Sequence, residues 1–359
     1  MKILQLTYSL ASGGAERFVV DLCNRLAKST ENEIVLVTVL DDNNPSWMHY
    51  RQDLSKNVRF ISLHCRRGLS IKSIWRVYRI IAIENADIVH AHCNLIMLYL
   101  AVVFFKRSKY IHTLHNLAEY CLSSSCLKPI NKWLYTEKVK PVTISNECER
   151  SFLKLYGVDT SVCITNGREP LTFNRSFVPD VKINIRYPVF IHVARCAPQK
   201  NQARLFKAFE RLYADGVKFE LMCVGQGYDK YAKYYNGHPQ IHIIGERSNI
   251  GDYMNLADYF VLSSDFEGLP LALLEAMSMG VTPISTPAGG VADVIKDGAN
   301  GYITKGFDDE EFYQKIKMII KTKGKLPPDV ICRDYSENYS MQACVKKYCA
   351  VYIRVCGLK

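Results

Sequence analysis

Residues 259–285 read YFVLSSDFEGLPLALLEAMSMGVTPIS. The run Tyr259–Ser263 has the length and apolar character of a strand buried on both faces. A polar loop carrying Glu267 follows. Pro270 then suits the first turn of a helix, where a missing N–H costs nothing, and Glu275 falls about one turn further on. A second strand-like run, Thr282–Ser285, closes the unit. Strand, helix and strand in this order predict two parallel strands joined by a covering helix.

The same alternation extends in both directions. Toward the N-terminus, strands are predicted at Ile3–Thr7, Glu33–Leu40, Val58–Leu63, Asp87–His90, Tyr110–Leu114, Val142–Ser145 and Val162–Thr165. Helical period separates several of them: Phe18, Val19, Leu22 and Leu26 share one face, as do Ile71, Ile74, Trp75, Tyr78 and Ile81. The pattern pauses between Asn166 and Pro188, then restarts with strands at Val189–Val193, Phe219–Val224, Ile241–Ile244 and Tyr302–Thr304. The expected fold class is α/β, with two Rossmann-like, doubly wound parallel-sheet domains and an interdomain cleft. The expected boundaries are 1–170 for the first domain, 171–187 for a linker and 188–335 for the second domain. A C-terminal helical segment, 336–359, is expected to pack back on the first domain. Ligands of such sheets bind at the carboxyl ends of the strands.

Composition agrees with a globular protein and argues against several other classes. The 359 residues are 48% hydrophobic and 23% charged, with a formal net charge of +11 that leans toward the N-terminal half. A basic surface suits phosphorylated substrates or anionic lipid; no basic-aromatic nucleic-acid motif accompanies it, so no nucleic-acid partner is expected. The 13 cysteines are scattered singly, without the paired spacing of a zinc or redox motif, a pattern expected of a reduced, cytoplasmic chain. Cys121 and Cys126 lack a second ligand pair, and the His90/His92 pair lacks a third ligand, so no metal is expected. Residues 1–8 read as a strand, not a signal peptide. The apolar run Leu95–Phe105 is too short to span a bilayer.

Five stretches carry candidate chemistry. Ser12-Gly13-Gly14-Ala15-Glu16-Arg17 follows the first strand and opens a helix, where glycines let backbone N–H groups approach an anion; a tight turn with no ligand is the other reading. His90, His92, His112 and His115 lie near two strand ends and offer hydrogen bonds or proton transfer, against packing roles for most of them. In Ala194-Arg195-Cys196-Ala197-Pro198-Gln199-Lys200-Asn201, two cations sit near a helix start and suit a diphosphate whose charge grows as it leaves. In 263–277, Glu267 and Glu275 offer acceptors for hydroxyls of two sugars, beside free N–H groups near Gly268, Leu269 and Leu271. Thr286-Pro287-Ala288-Gly289-Gly290-Val291 is a further glycine turn, either a ligand loop or a connection.

On these residues the chain resembles glycosyltransferase family 4, retaining enzymes of the GT-B fold that act in bacterial polysaccharide and lipid-linked oligosaccharide synthesis. Glu267-Gly268-Leu269-Pro270 with Glu275 resembles the family's pair of glutamates separated by seven residues. Ala194-Arg195 to Lys200 resembles its Gly-Arg…Lys element, Ser12–Arg17 its glycine loop, Thr113-Leu114-His115 its strand-end histidine, and Ile164-Thr165-Asn166-Gly167 its Asn-Gly pair. The resemblance implies a retaining, metal-independent transfer from a nucleotide sugar, UDP-linked by family habit, with no cofactor. The absence of an Asp-x-Asp triplet agrees. It assigns Arg195 and Lys200 to the donor diphosphate, Glu267 to the donor sugar, Glu275 to the ribose and His115 to the reaction centre. Gly14, Gly225, Gly245, Glu246, Arg247, Gly268, Leu269 and Pro270 complete the donor set. Gly13, Gly14, Arg17, His92, Asn116 and Asn166 form the acceptor set. The implied acceptor is a growing glycan, lipid-linked, in surface polysaccharide (capsule or lipopolysaccharide) synthesis. Two departures stand out: Ala194 replaces the usual glycine, and Arg168-Glu169-Pro170 replaces the usual apolar-acid pair.

Arg66, Arg67, Lys72, Arg76 and Arg79 punctuate the apolar stripe of residues 71–81. Two readings stand: an ordinary sheet-covering helix, or a basic helix lying on an anionic membrane face. Two other functions fit the scaffold, a nucleotide-sugar epimerase and a non-catalytic nucleotide-sugar-binding protein. The joint presence of His115 and Glu267 favours an enzyme over the binding protein; an epimerase would differ in acting on the donor alone, without an acceptor.

Overall fold

The structure, a computed structural model, describes residues 1–68 and 70–358. The chain forms two compact units, Met1–Arg168 with Met341–Lys359, and Glu169–Ser340.

The first unit is built on seven parallel strands: β1 (Lys2–Thr7), β2 (Glu33–Leu40), β3 (Val58–Cys65), β4 (Ile88–Ala91), β5 (Lys109–Leu114), β6 (Val139–Thr143) and β7 (Val162–Cys163), ordered β3-β2-β1-β4-β5-β6-β7. Seven of the eight residues of β2 are buried, as a strand covered on both faces requires. Helix α1 (Gly14–Leu26) lies on one face and buries Phe18, Val19, Leu22, Cys23 and Leu26, the period read from the sequence. Helix α2 (Ile71–Glu84) covers the sheet through Ser73, Val77, Ile81 and Glu84. Its face is therefore rotated from the expected stripe. Ile74 and Tyr78 sit at the margin of the core, while Ile71 and Trp75 are exposed. Two apolar stripes run along this helix, and periodicity alone does not say which one the sheet takes.

The second unit has six parallel strands: β8 (Val189–Val193), β9 (Glu220–Val224), β10 (Ile241–Gly245), β11 (Tyr259–Leu262), β12 (Thr282–Ser285) and β13 (Tyr302–Ile303), ordered β10-β9-β8-β11-β12-β13. Helices α3 (Gln202–Ala214) and α4 (Leu271–Ser278) follow β8 and β11. In both sheets the strand order reverses beside the first strand, between β1 and β4 and between β8 and β11. Loops leaving two such strands diverge and open a crevice at their carboxyl ends.

The expected linker, 171–187, is not a linker. It belongs to the second unit, where Leu171, Phe177, Val181 and Ile183 pack against the core. The Phe177 and Tyr253 rings meet at 4.9 Å between centroids. Thr172 passes so close to Gly251 that a Cβ there would stand 2.0 Å from the Thr172 carbonyl oxygen. Its apolar residues have neither strand nor helix spacing, so only the gaps they fill reveal them as core. The C-terminal boundary shifts from 336 to 341, because Tyr335 and Tyr339 are buried in the core of the second unit. Helix α5 (Met341–Cys356) then joins the first unit, burying Met341, Cys344, Tyr348, Val351 and Tyr352 against α1 and the sheet.

Arg168 ends the first unit. It is buried, its guanidinium donates to Asp21 on α1, and its carbonyl accepts from Met341 N at 3.0 Å. The departure at this position thus supplies a countercharge for Asp21, itself 2% exposed.

Candidate active site

The donor candidates gather at the strand-order reversal of the second unit. The loop 194–201 leaves β8 and the loop 263–270 leaves β11. Ser263 Oγ donates to the carbonyls of Lys200 and Asn201, both at 3.0 Å, and Asp265 N donates to Gln199 O at 2.9 Å. Asn201, held at φ 44°, caps α3 by accepting from Arg204 N and donates to the Asp265 carboxylate at 2.9 Å. Buried Arg204 adds bonds to Ser263 O, Asp265 and Asp309.

This stitching brings Lys200 to Glu267. Lys200 Nζ stands 2.6 Å from Glu267 Oε1, and Ser264 Oγ donates to the same oxygen at 2.6 Å. Glu267 is 7% exposed, and its Oε2 makes no hydrogen bond among the described residues. Arg195 is exposed, and its guanidinium has no ion-pair partner among the described residues; Gln202 Nε2 holds its carbonyl at 3.0 Å. Helix α4 begins at Leu271, one residue later than expected, because Pro270 has an extended ψ of 119° and serves as the cap. Pro270 gives it no side-chain cap, and while Leu273 N donates to Pro270 O at 3.1 Å, the preceding N–H groups and the positive end of the helix suit an anion. Glu275 is the fifth residue of this helix and half-buried. The turn 286–291 supports the loop from behind: Gly290 N donates to Gly268 O at 2.9 Å and the Thr286 hydroxyl to Ser264 O.

Beside these loops is a cavity of about 330 Å³ lined by Gly225, Gln226, Gly227, Tyr228, Gly245 and Glu246. Gly225 has φ +140°, and a Cβ on it would stand 2.1 Å from Ala194 O. Gly225 N donates to Gly245 O and Cys196 N to Gln226 O, both at 2.8 Å. The cavity therefore rests on the ends of β8, β9 and β10 together. The Arg247 side chain is occupied by Asp180 and by Tyr253.

In the first unit the Gly13-Gly14 loop and His92 follow the two strands at its reversal point, His115 and Asn116 follow neighbouring β5, and Asn166 follows the edge strand β7. Gly13 caps α1 in an extended conformation, and a Cβ on Gly14 would meet nothing within 4 Å. Arg17 is committed to Asp21 and Asp53 and lies over the Tyr50 ring. Asn116 Oδ1 accepts from Leu117 N. Asn166 is buried with its Oδ1 unpaired among the described residues. The four histidines separate clearly. His112, 2% exposed, is satisfied on both nitrogens, by Tyr135 OH and Cys93 O at 2.8 Å. His90, fully buried, bonds Tyr352 OH and Thr113 Oγ1. His92 and His115, half-buried, bond each other at 2.9 Å and pack on Phe18. Burial holds all four far below the ordinary imidazole range, His112 to about 4 and His115 to about 3.

Sequence reading missed Gln5, Ser264 and His192. Gln5 and Ser264 pass as ordinary polar residues inside or beside a strand. His192 is fully buried in β8, donates from Nδ1 to Val261 O at 2.8 Å and has Nε2 unpaired. Among the described residues, the group of carboxylates and imidazoles close enough to ligate a metal is Asp41, Asp42 and His64, at the ends of β2 and β3. It includes neither Cys121 nor any of the four strand-end histidines.

The acid response of the histidines is predictable. Their folded pKa values lie below the unfolded value of about 6.5, so stability is intact above pH 6.5 and falls as the pH drops from there toward 4. Each fully buried imidazole costs about 1.4 kcal/mol per pH unit in that window. Urea unfolding followed from pH 7.5 to pH 4.5 should show the first unit losing its midpoint steadily below pH 6.5. A midpoint unchanged from pH 7 to pH 5 would contradict the buried neutral state.

Both units have counterparts among known proteins. Residues 12–170 match Glycosyltransferase Family 4, and residues 175–337 match Glycosyl transferases group 1. A UDP-Gal:alpha-D-GlcNAc-diphosphoundecaprenol alpha-1,3-galactosyltransferase of Escherichia coli is 26% identical over 299 residues, 76% of each chain. Among solved structures, a glycosyltransferase from Rickettsia africae superposes with a TM-score of 0.81 at 20% identity, covering 99% of this chain and 98% of its own. Anabaena Alr3699/HepE in complex with UDP-glucose superposes at 0.74 and 18% identity, covering 98% and 99%. With two doubly wound units, each matched over most of its length, the chain belongs to the GT-B glycosyltransferases of the family 4 type.

Proposed function

We propose that this glycosyltransferase moves a hexosyl or N-acetylhexosaminyl group, with retention and without a metal, from a UDP-sugar to a hydroxyl of a lipid-linked glycan in surface polysaccharide synthesis. The Lys200–Glu267 pair carries the reading. A buried carboxylate, pinned by Lys200 and Ser264 on one oxygen, keeps the other oxygen as an acceptor for sugar hydroxyls. Lys200, Arg195 and the uncapped start of α4 collect positive charge where a diphosphate would develop negative charge on leaving. The glycine-lined cavity at 225–227 and 245 suits the nucleotide base, and Glu275 the ribose. The Escherichia coli relative, whose name gives UDP-Gal and a diphosphoundecaprenol-linked acceptor, supports the donor and acceptor classes. Purified protein with UDP-sugars and an undecaprenyl-diphosphate glycan tests this. Transfer with UDP release, an unchanged anomeric configuration by proton magnetic resonance and full activity in EDTA are the expected results. An inverted product or loss of activity in EDTA removes the corresponding part, and donor turnover without an acceptor points to an epimerase.

Peripheral attachment to the cytoplasmic membrane face belongs to the same reading. No helix among the described residues is long and apolar enough to cross a membrane. The outer face of α2 instead presents Ile71, 84% exposed, and Trp75, 48% exposed, beside Lys72 and Arg79, and exposed Phe104 packs next to Tyr78. Apolar anchors among cations suit an anionic interface. Each such cation contributes about 1 kcal/mol near an anionic surface. Lys72→Gln with Arg79→Gln should therefore weaken binding to phosphatidylserine vesicles by about thirtyfold. Equal cosedimentation of the two proteins with phosphatidylserine vesicles, or wild-type binding to phosphatidylcholine vesicles as strong as to phosphatidylserine, would remove these cations as the anchor.

A further inference from the structure

A continuous chain of hydrogen bonds runs through the first unit from α5 to His115. Tyr348 OH and Thr113 Oγ1 are 3.1 Å apart, and Thr113 Oγ1 is 2.7 Å from His90 Nε2. His90 Nδ1 is 2.8 Å from Tyr352 OH, which accepts from Gln5 Nε2 at 3.1 Å. Gln5 Oε1 is 2.8 Å from His92 Nε2, and His92 Nδ1 is 2.9 Å from His115 Nε2. The chain ends at His115 Nδ1, a buried atom with no partner among the described residues.

The chemistry of each link gives the chain a direction. An amide oxygen only accepts, so His92 must carry its proton on Nε2. A neutral imidazole has one N–H, and burial keeps all these rings neutral at pH 7. His92 Nδ1 is then an acceptor, and His115 must donate to it from Nε2. On the far side the Gln5 NH2 donates to Tyr352 OH, and the chain continues in the same sense when Tyr352 OH donates to His90 Nδ1 and His90 Nε2 to Thr113 Oγ1. An imidazole without such a partner would distribute its proton over both nitrogens.

We infer that Gln5, His92 and Tyr352 are positioning residues that hold His115 as the Nε2–H tautomer, so that Nδ1 presents a lone pair to a hydroxyl of the sugar substrate. The inference rests on the reading that His115 meets the sugar. His115 is the residue that touches substrate; the other three act only through it. Tyr352 lies on α5, so the C-terminal helix sets the protonation pattern of a site formed by strand ends more than two hundred residues earlier.

The test is nitrogen magnetic resonance of the protein labelled with 15N-histidine, at pH 7 and without substrate. His115 is assigned by the signals missing from His115→Ala. The expected wild-type spectrum has His115 protonated on Nε2 and bare on Nδ1. Gln5→Leu and Tyr352→Phe should move His115 toward a mixture of tautomers. A wild-type His115 protonated on Nδ1, or an even mixture, overturns the inference whatever the variants do. So does a tautomer unmoved in folded Gln5→Leu and Tyr352→Phe. In a transfer assay Gln5→Leu should lose about tenfold in kcat, the worth of one well-formed hydrogen bond. If the tautomer shifts as expected and kcat does not, the positioning stands and the substrate role of His115 fails.

Discussion

Lys200→Ala is expected to lower kcat for sugar transfer by about 10²–10³-fold. One ammonium serves two partners. Its Nζ lies 2.6 Å from Glu267 Oε1, and under the proposed mechanism it also faces the departing diphosphate, whose charge grows in the transition state. Stabilisation that strengthens as charge develops appears in kcat more than in donor affinity. The substitution has a structural cost as well. It leaves a carboxylate that is 7% exposed with only the Ser264 hydroxyl on its inner oxygen. Breaking a buried pair by removing one partner costs about 3–5 kcal/mol, and the bond from Ser264 reduces that. The two effects separate in the double variant Lys200→Ala/Glu267→Gln. A neutral amide can still accept from Ser264, so the melting temperature should recover and the structural part of the loss is read there, while turnover stays low because Glu267 itself is proposed to meet the sugar. Turnover of Lys200→Ala within tenfold of wild type would remove Lys200 from the chemistry. Turnover restored along with stability would make its role purely structural.

Gly225→Ala should abolish stabilisation of the protein by UDP and cost about 3 kcal/mol or more of folding stability. Its φ of +140° is strained for any residue with a Cβ, and that Cβ would stand 2.1 Å from the Ala194 carbonyl oxygen. The obstacle is backbone, so relief means moving the end of β8 and, with it, the loop that carries Arg195 and Lys200. Gly237→Ala is the control. It too has a left-handed φ, +76°, but a Cβ there meets nothing within 4 Å. Its cost should stay near the 1–2 kcal/mol of the left-handed conformation alone, with UDP binding intact. Thermal unfolding with and without UDP distinguishes the two. If both variants behave alike, close packing of β8 on β9 is not what shapes the nucleotide cavity.

The candidate site was legible in part, and the missed parts share a cause. The loops 194–201 and 263–270 were readable because glycine, proline, cations and carboxylates crowd into short stretches after strands. That Lys200 and Glu267 bond each other was not readable, since 67 positions separate them. Arg17, expected at the acceptor, is held by Asp21 and Asp53, and nothing local in its loop announces Asp53. Gln5 looks like a stray polar residue in an apolar strand until the register of β1 with β4 sets it opposite His90 and beside His92.

What the sequence determined by itself is the succession of strands and helices, and with it the pair of parallel sheets. Side-chain period and run length are properties of neighbouring residues, and they survive without knowledge of the rest of the chain. For that reason the bounds of β2, β8 and β12 coincide with those read from the sequence. Tertiary structure alone decided which unit the segment 171–187 joins, where the C-terminal helix begins, which stripe of α2 turns inward, and which of four similar histidines is left with a nitrogen unpaired among the described residues. Each of those outcomes depends on what stands opposite a residue once distant strands are in register. Hydrogen-bond partners and filled gaps are relations between segments, and no stretch of sequence contains both sides of them.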